Sequence, residues 1–370
     1  MQTASTQKPA RIEVVDWLRG LAVVLMIMAH GMDAWLLPAA KSGFVYAVIK
    51  VGSGIPARLF LLLVGVSAAI QLEAGLGKGL SPVLMRARLF KRGLLILCLA
   101  YLFRLQECLL SHFYGGWEPL FRIDILNAIG ASMLVVALVA IPRNGRRQIL
   151  PCLVVAAIFL GFGSTVGPAH FPSYLPRPLT SYIGGQRPMA WFSLFPWGAW
   201  ALAGVVIGHV WLEAHRRGRP SLCFALTFLA GALLALAVVM VRRADPFIIR
   251  YPSEVVMQMG PGIFFSRLGI IGMLAGVGYW VCRFSAAHVL SRFSVLRQLG
   301  RTSLLIYWVH IELCYGSAVY ALRGHLTMPR AALGVAGLTF LMLGLSMLKT
   351  RCARPAADWL RDRFRKTRWA

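Results

Sequence analysis

The sequence predicts an all-α polytopic integral membrane protein of about ten transmembrane helices, and three observations carry that prediction. Of its 370 residues, 58% are hydrophobic and only 14% charged, with a mean hydropathy of +0.68. Soluble domains carry roughly 25% charged residues. Apolar runs of about 20 residues, the length that crosses a bilayer core, recur along the chain. The basic residues behind the net charge of +26 are distributed unevenly between the segments that join these runs.

Ten segments qualify as spans, beginning near Val15, Ser53, Leu89, Ile123, Gln148, Met189, Ser221, Ile263, Thr302 and Ala331. Residues Met1 to Glu13 are polar and no small-residue cleavage site follows, so the first run is expected to be a span rather than a signal peptide. This gives a cytoplasmic segment 1–14, a single transmembrane domain 15–349 and a basic cytoplasmic tail 350–370. With the N-terminus in the cytoplasm, 25 of the 39 Lys and Arg residues fall on inner segments and 11 on outer ones. That bias predicts an N-in, C-in topology. The excess charge then meets anionic lipid headgroups and needs no nucleic-acid partner.

The first span reads Asp16-Trp-Leu-Arg19-Gly20, an apolar run, then His30-Gly-Met-Asp33. Asp16, Arg19, His30 and Asp33 share one helical face. An ionisable group at the bilayer centre costs roughly 2.5–3.5 kcal/mol or more, so this stripe must face protein or water. It is a functional site or a structural polar seam. At a rise of ~1.5 Å per residue, His30 stands about 21 Å above Asp16.

The second span opens with Arg58, which shares a face with Gly65 and Ala69, and small residues there invite close helix packing. The third follows the basic cluster Arg86, Arg88, Lys91 and Arg92; the fourth opens with Arg122, Asp124 and Asn127. The fifth is the weakest, with Pro151 near its start and Gly161 and Gly163 near its end. The sixth contains Phe195-Pro196-Trp197-Gly198, which predicts a kink, and ends with His209, Glu213 and His215, which look interfacial. The eighth opens with Arg267. Arg58, Arg122 and Arg267 either serve at the depth of His30 or snorkel to the outer interface.

In the ninth span Ser303, Tyr307, His310, Cys314 and Ser317 share a face, with Glu312 opposite. His310 falls about 12 Å above the inner edge if the span begins near Thr302. It reads equally as a core histidine and as a functional one. Glu312, near the midplane, needs a partner or water. The longer outer connections, 104–122, 166–188 and 242–262, carry Trp117, Tyr174, Tyr182 and Tyr251, as an enzyme working on that face or a transporter would.

None of the seven cysteines forms a C-x-x-C pair, and they read as reduced apolar residues rather than a disulfide framework or metal site. The chain lacks H-E-x-x-H, G-x-S-x-G and phosphate-loop motifs, so the usual soluble-enzyme chemistries are not indicated and no metal is expected.

Several segments, in order, carry a family resemblance. Asp16-x-x-Arg19-Gly20 with His30 resembles the first helix of the acyltransferase-3 family of transmembrane acyltransferases. The rest is similar to the heparan-α-glucosaminide N-acetyltransferase-like (catalytic domain) family of bacterial membrane proteins: Arg58-Leu-Phe-Leu-Leu-Leu-Val-Gly-Val-Ser67, Lys91-Arg-Gly-Leu-Leu95, Arg122-Ile-Asp124-Ile-Leu-Asn-Ala-Ile-Gly130, Phe195-Pro-Trp197 with Gly204 and Gly208, and Gly300-Arg-Thr-Ser-Leu-Leu-Ile-Tyr-Trp-Val-His310. In lysosomal relatives the position matching His30 looks to be asparagine, with a histidine in the loop beyond; here no histidine follows before His112.

The resemblance implies transfer of an acyl group, usually acetyl, from cytoplasmic acetyl-coenzyme A to a sugar hydroxyl or amine on the extracytoplasmic side of a bacterial inner membrane. The implied partners are the lipid bilayer, acyl-coenzyme A and a glycan or small-molecule acceptor; a homodimer is compatible with it.

The residues suit that chemistry. A histidine is a general base or a nucleophile near neutral pH. Asp33, one turn beyond His30, is placed to orient it, and Arg58 to stabilise an oxyanion. Arg19 and the cluster Arg86, Arg88, Lys91 and Arg92 suit the coenzyme's phosphates, or are plain positive-inside charge. Asp124, Asn127, Tyr307, His310 and Glu312 are the substrate-binding candidates. The alternative is a transporter using the same His and Glu residues for proton coupling. Its mark, an internal repeat with paired broken helices, is not evident.

Overall fold

Helices form where the apolar runs lie. In a computed structural model that describes residues 12–114, 116–140, 145–166, 171–172, 174–184, 189–244, 260–286 and 294–366, they are α1 (Glu13–Trp35), α2 (Gly43–Ser53), α3 (Pro56–Leu76), α4 (Pro82–Leu110), α5 (Ile125–Val139), α6 (Ile149–Gly161), α7 (Gly163–Val166), α8 (Arg177–Ile183), α9 (Leu194–Arg216), α10 (Pro220–Ala244), α11 (Pro261–Ala286), α12 (Val295–Arg301), α13 (Ser303–Tyr315) and α14 (Met328–Lys366). Among the described residues, extended pairing is limited to two isolated bridges, Leu36 with Leu326 and Ile123 with Ala190. Seven helical segments among the described residues are long and apolar enough to cross a membrane, and α5, α6 and α13 are shorter apolar helices. The chain is an all-α polytopic membrane protein.

Two compact units divide the chain: Met1–Ile12 with Ala57–Val281, and Glu13–Pro56 with Cys282–Ala370. In the first, α3 packs on α9 through facing small residues. A methyl group on Gly65 would run into the Ala201 carbonyl, and one on Gly204 into the Leu62 carbonyl, so the two backbones touch. On α10, Leu222, Leu226, Leu229, Leu233 and Leu236 are all exposed at helical spacing, a surface suited to lipid tails.

Arg104 departs from the sequence expectation. The sequence places it in an outer connection, yet α4 runs on to Leu110 and Arg104 is 3% exposed. Its guanidinium is paired with the carboxylates of Glu107 and Asp124, which removes the cost of burying it alone. Pro196 does break α9 as expected: Phe195 has non-helical φ −94°, ψ 113°. The fifth span is a 13-residue helix that ends at Gly161, with the separate turn α7 beyond Phe162. Most of the 242–262 connection, including Tyr251, lies outside the described residues.

In the second unit, Met32, Leu36 and Ala331 form a small core with Met28, Ile49, Leu326 and Val335 packed against it. Backbone bonds lock the C-terminal end of α1 to the segment before α14: Gly324 N to Ala34 O and Leu326 N to Trp35 O, both 2.9 Å. Helix α2 precedes the second span in a stretch read from the sequence as connection. The ninth span is split at Thr302 into α12 and α13. Helix α12 lies tight against the start of α1, where a methyl on Gly20 would strike the Leu296 carbonyl and one on Gly300 the Asp16 carbonyl. Gln298 Nε2 bonds Ser346 Oγ (2.9 Å) and Thr350 Oγ1 (3.1 Å), and Thr302 Oγ1 and Ser346 Oγ lie 2.6 Å apart, tying this break to α14.

Candidate functional site

Two histidines 280 positions apart in sequence meet in the second unit. His30 Nδ1, on α1, lies 2.9 Å from His310 Nε2, on α13. The rings are nearly parallel, at 16°, with centroids 5.1 Å apart. Counting rise along each span from the inner edge places His30 and His310 at different levels, because that counting begins the ninth span at Thr302. The structure starts α13 above the α1–α12 contact. Gly20 and Gly300 abut, and ten positions on from each glycine, along α1 and across the Thr302 break into α13, the two histidines come level.

His310 is fully buried, and its Nδ1 lies 2.8 Å from the Ile306 carbonyl one turn back. His30 is half-buried. Tyr315 sets its ring edge against His30 (centroids 5.8 Å, 67°), and Tyr307, buried on the same face as His310, does the same to His310 (5.9 Å, 64°). Asp33 turns its carboxylate elsewhere: it accepts from the Tyr315 hydroxyl (3.0 Å) and lies 3.7 Å from Lys41 Nζ, which also donates to its carbonyl (2.7 Å). Asp33 thus reaches His30 by way of the Tyr315 ring. Tyr315 was not singled out from sequence, because on a helical wheel it sits well off the His310 face. At the other end of α1, Arg19 pairs with Asp16 at 3.2 Å. Glu312, on the far side of α13 from His310, is half-buried.

The remaining candidates lie in the first unit. Arg58 is buried, with its guanidinium 4.9 Å from the centre of the Trp197 ring, a cation–π arrangement. Arg86, Arg88, Lys91 and Arg92 line the exposed start of α4, with Arg86 Nε donating to the Ala137 carbonyl at 3.2 Å. Asp124 caps α5 and pairs with Arg104, with Arg122 Nε 3.7 Å away. Asn127, 1% exposed, accepts from the Asp124 N–H (3.2 Å) and donates to the Tyr182 hydroxyl (3.1 Å), which bonds Tyr101 (2.9 Å). Burial and the Tyr101 hydroxyl push the Tyr182 phenol well above its ordinary range.

His209, expected at an interface, is instead 4% exposed, its ring held between Glu73 (3.3 Å) and Gln148 (3.1 Å). Glu73, close to Gln71 near the end of α3, and Gln148, directly after Arg146 and Arg147, carry no signal in the sequence, since each reads as an ordinary polar residue at a helix end. Glu213 remains at the helix end, paired with Arg216 (3.1 Å) and Arg217 (2.8 Å).

Chemically, the second unit offers a half-buried imidazole backed by a buried one, flanked by tyrosines. No curated protein matches the chain. The family described as Heparan-alpha-glucosaminide N-acetyltransferase, catalytic, matches residues 11–236, a segment that holds His30 and Arg58 and stops before His310. With that match covering more than half its length, the chain belongs to the heparan-alpha-glucosaminide N-acetyltransferase catalytic family of membrane acetyltransferases.

Proposed function

We propose that this protein moves an acetyl group from acetyl-coenzyme A on the cytoplasmic side of a bacterial inner membrane to a sugar hydroxyl or amine on the other side, with His30 as general base. The observation that carries the reading is the half-buried His30, inside the family-matched segment and hydrogen-bonded to the buried His310. A titratable side chain in a membrane helix, presented from a built polar pair, is where proton transfer is expected.

The reaction balances simply. The acceptor oxygen or neutral amine nitrogen attacks the thioester carbonyl carbon as His30 takes the acceptor's proton. The C–S bond breaks, and the coenzyme thiolate recovers the proton from His30. The products are acetylated acceptor and free coenzyme A, with His30 returned to its starting state. Arg88, Lys91 and Arg92, exposed together on α4, suit the coenzyme's phosphates.

The test is acetyl-coenzyme A hydrolysis, and transfer to candidate glycan acceptors, by purified wild-type protein and His30→Ala of matched folding. Loss confined to the variant supports the reading. Equal activity in both removes His30 from the chemistry. Transport of a solute with no acetyl-coenzyme A binding in either would favour the transporter alternative.

A further inference from the structure

We infer that His310, anchored by the Ile306 carbonyl, is a positioning residue that fixes the tautomer of His30 and so assigns the acceptor's proton to His30 Nε2. The role given to Nε2 rests on the acetyltransferase reading above; the tautomer assignment does not.

The hydrogen bonds can be followed in one direction only. The Ile306 carbonyl oxygen can only accept, so His310 Nδ1, 2.8 Å away, must carry a proton. A neutral His310 then has its lone pair on Nε2. That lone pair faces His30 Nδ1 at 2.9 Å, so His30 Nδ1 must donate. A neutral His30 that is protonated at Nδ1 has its lone pair on Nε2, and among the described residues nothing hydrogen-bonds that atom. The reverse tautomer would set the His310 Nδ1 lone pair against the Ile306 carbonyl lone pairs at 2.8 Å inside a fully buried site, a repulsion with no hydrogen bond to offset it. The near-parallel ring planes and the edges of Tyr307 and Tyr315 hold the pair in this register.

His310 therefore takes the place that a carboxylate occupies in a catalytic triad, accepting from the nitrogen opposite the reactive one. A neutral imidazole suits a site within a membrane helix, where a buried carboxylate is expensive. The nearby carboxylate, Asp33, is instead bonded to the Tyr315 hydroxyl and placed near Lys41. When His30 is protonated in the reaction, its Nδ1–H bond to His310 becomes charge-assisted and strengthens in the state that matters.

The experiment is 15N NMR of histidine-labelled protein in lipid nanodiscs, with the His30 signals assigned from His30→Gln, run beside steady-state kinetics on His310→Leu and His310→Gln. In wild type, His30 is expected to carry its proton on Nδ1. In His310→Leu a large share of it moves to Nε2, kcat falls roughly 100-fold and KM for acetyl-coenzyme A stays within about twofold. Glutamine keeps an acceptor oxygen near His30, so His310→Gln should recover at least about tenfold of that loss. If leucine is not tolerated, His310→Asn, too short to reach His30, gives the same readout. His30 protonated at Nε2 in wild type, or a His310→Leu protein with unchanged tautomer and kcat, would overturn the inference. A wild-type protein inert towards acetyl-coenzyme A that still shows the tautomer shift would sink the acetyltransferase reading while upholding the part played by His310.

Discussion

The backbone of Gly20 lies directly on that of Gly300, so closely that a methyl group on Gly300 would meet the Gly20 nitrogen at 2.9 Å. This contact sets the register of α1 against α12 and α13, and through it the meeting of His30 and His310. Replacing Gly300 with valine must push the helices apart. Overpacking of this kind costs about 1–3 kcal/mol, so a lower unfolding temperature is expected. Activity should fall further than stability does, because separating the histidines by 1 Å breaks a 2.9 Å hydrogen bond. Thermal unfolding and kcat on the same preparation check both parts; a stable, fully active Gly300→Val protein would show that the contact does not set the register.

Tyr315 offers a second separation, between its ring and its hydroxyl. Tyr315→Phe keeps the edge against His30 and loses the 3.0 Å bond to Asp33, worth about 0.5–1.5 kcal/mol. Its kcat/KM is expected within about tenfold of wild type. Tyr315→Leu, which also removes the ring, should fall well below that, and equal values for the two would mean that the ring does not support His30.

Arg104 is the structural counterpart in the first unit. Arg104→Met takes the buried partner from Glu107 and from the Asp124 carboxylate that caps α5, leaving Asp124 with the more distant Arg122 at 3.7 Å, a loss of about 3 kcal/mol. The triple variant Arg104→Met, Glu107→Gln, Asp124→Asn removes all three charges and keeps a capping side chain, so most of that stability should return. Thermal or denaturant unfolding in one detergent reads the cycle.

The basic start of α4 is separable from topology by choice of donor. Arg88, Lys91 and Arg92 changed together to glutamine, with Arg86 left to bond the Ala137 carbonyl, should raise KM for acetyl-coenzyme A about tenfold or more. S-acetyl-pantetheine, which lacks the nucleotide phosphates, should show no such rise. The same KM for acetyl-coenzyme A in variant and wild type would assign these residues to orientation alone.

The all-α membrane fold follows from the sequence, because apolar length and backbone satisfaction in lipid leave helices as the only way to build these runs. Each of the ten apolar runs is matched by a helix, and His30 is visible as a polar residue that a bilayer would reject. The sequence by itself also marks Pro196 as a break and the Gly65 face as a close-packing one. What it could not supply is which side chains meet. The His30–His310 bond spans 280 positions, and no local periodicity encodes such a contact. The tertiary structure alone decided it, through two glycines that let backbones touch and a ninth span that, after its break at Thr302, runs beside α1 as far as His310. It also decided that Asp33 bonds Tyr315 rather than His30, and that Arg104 is buried with two carboxylates. The reason is the same in each case. Helical spacing determines the face on which a residue lies, whereas its partner depends on the neighbouring helix and its register, which packing alone sets.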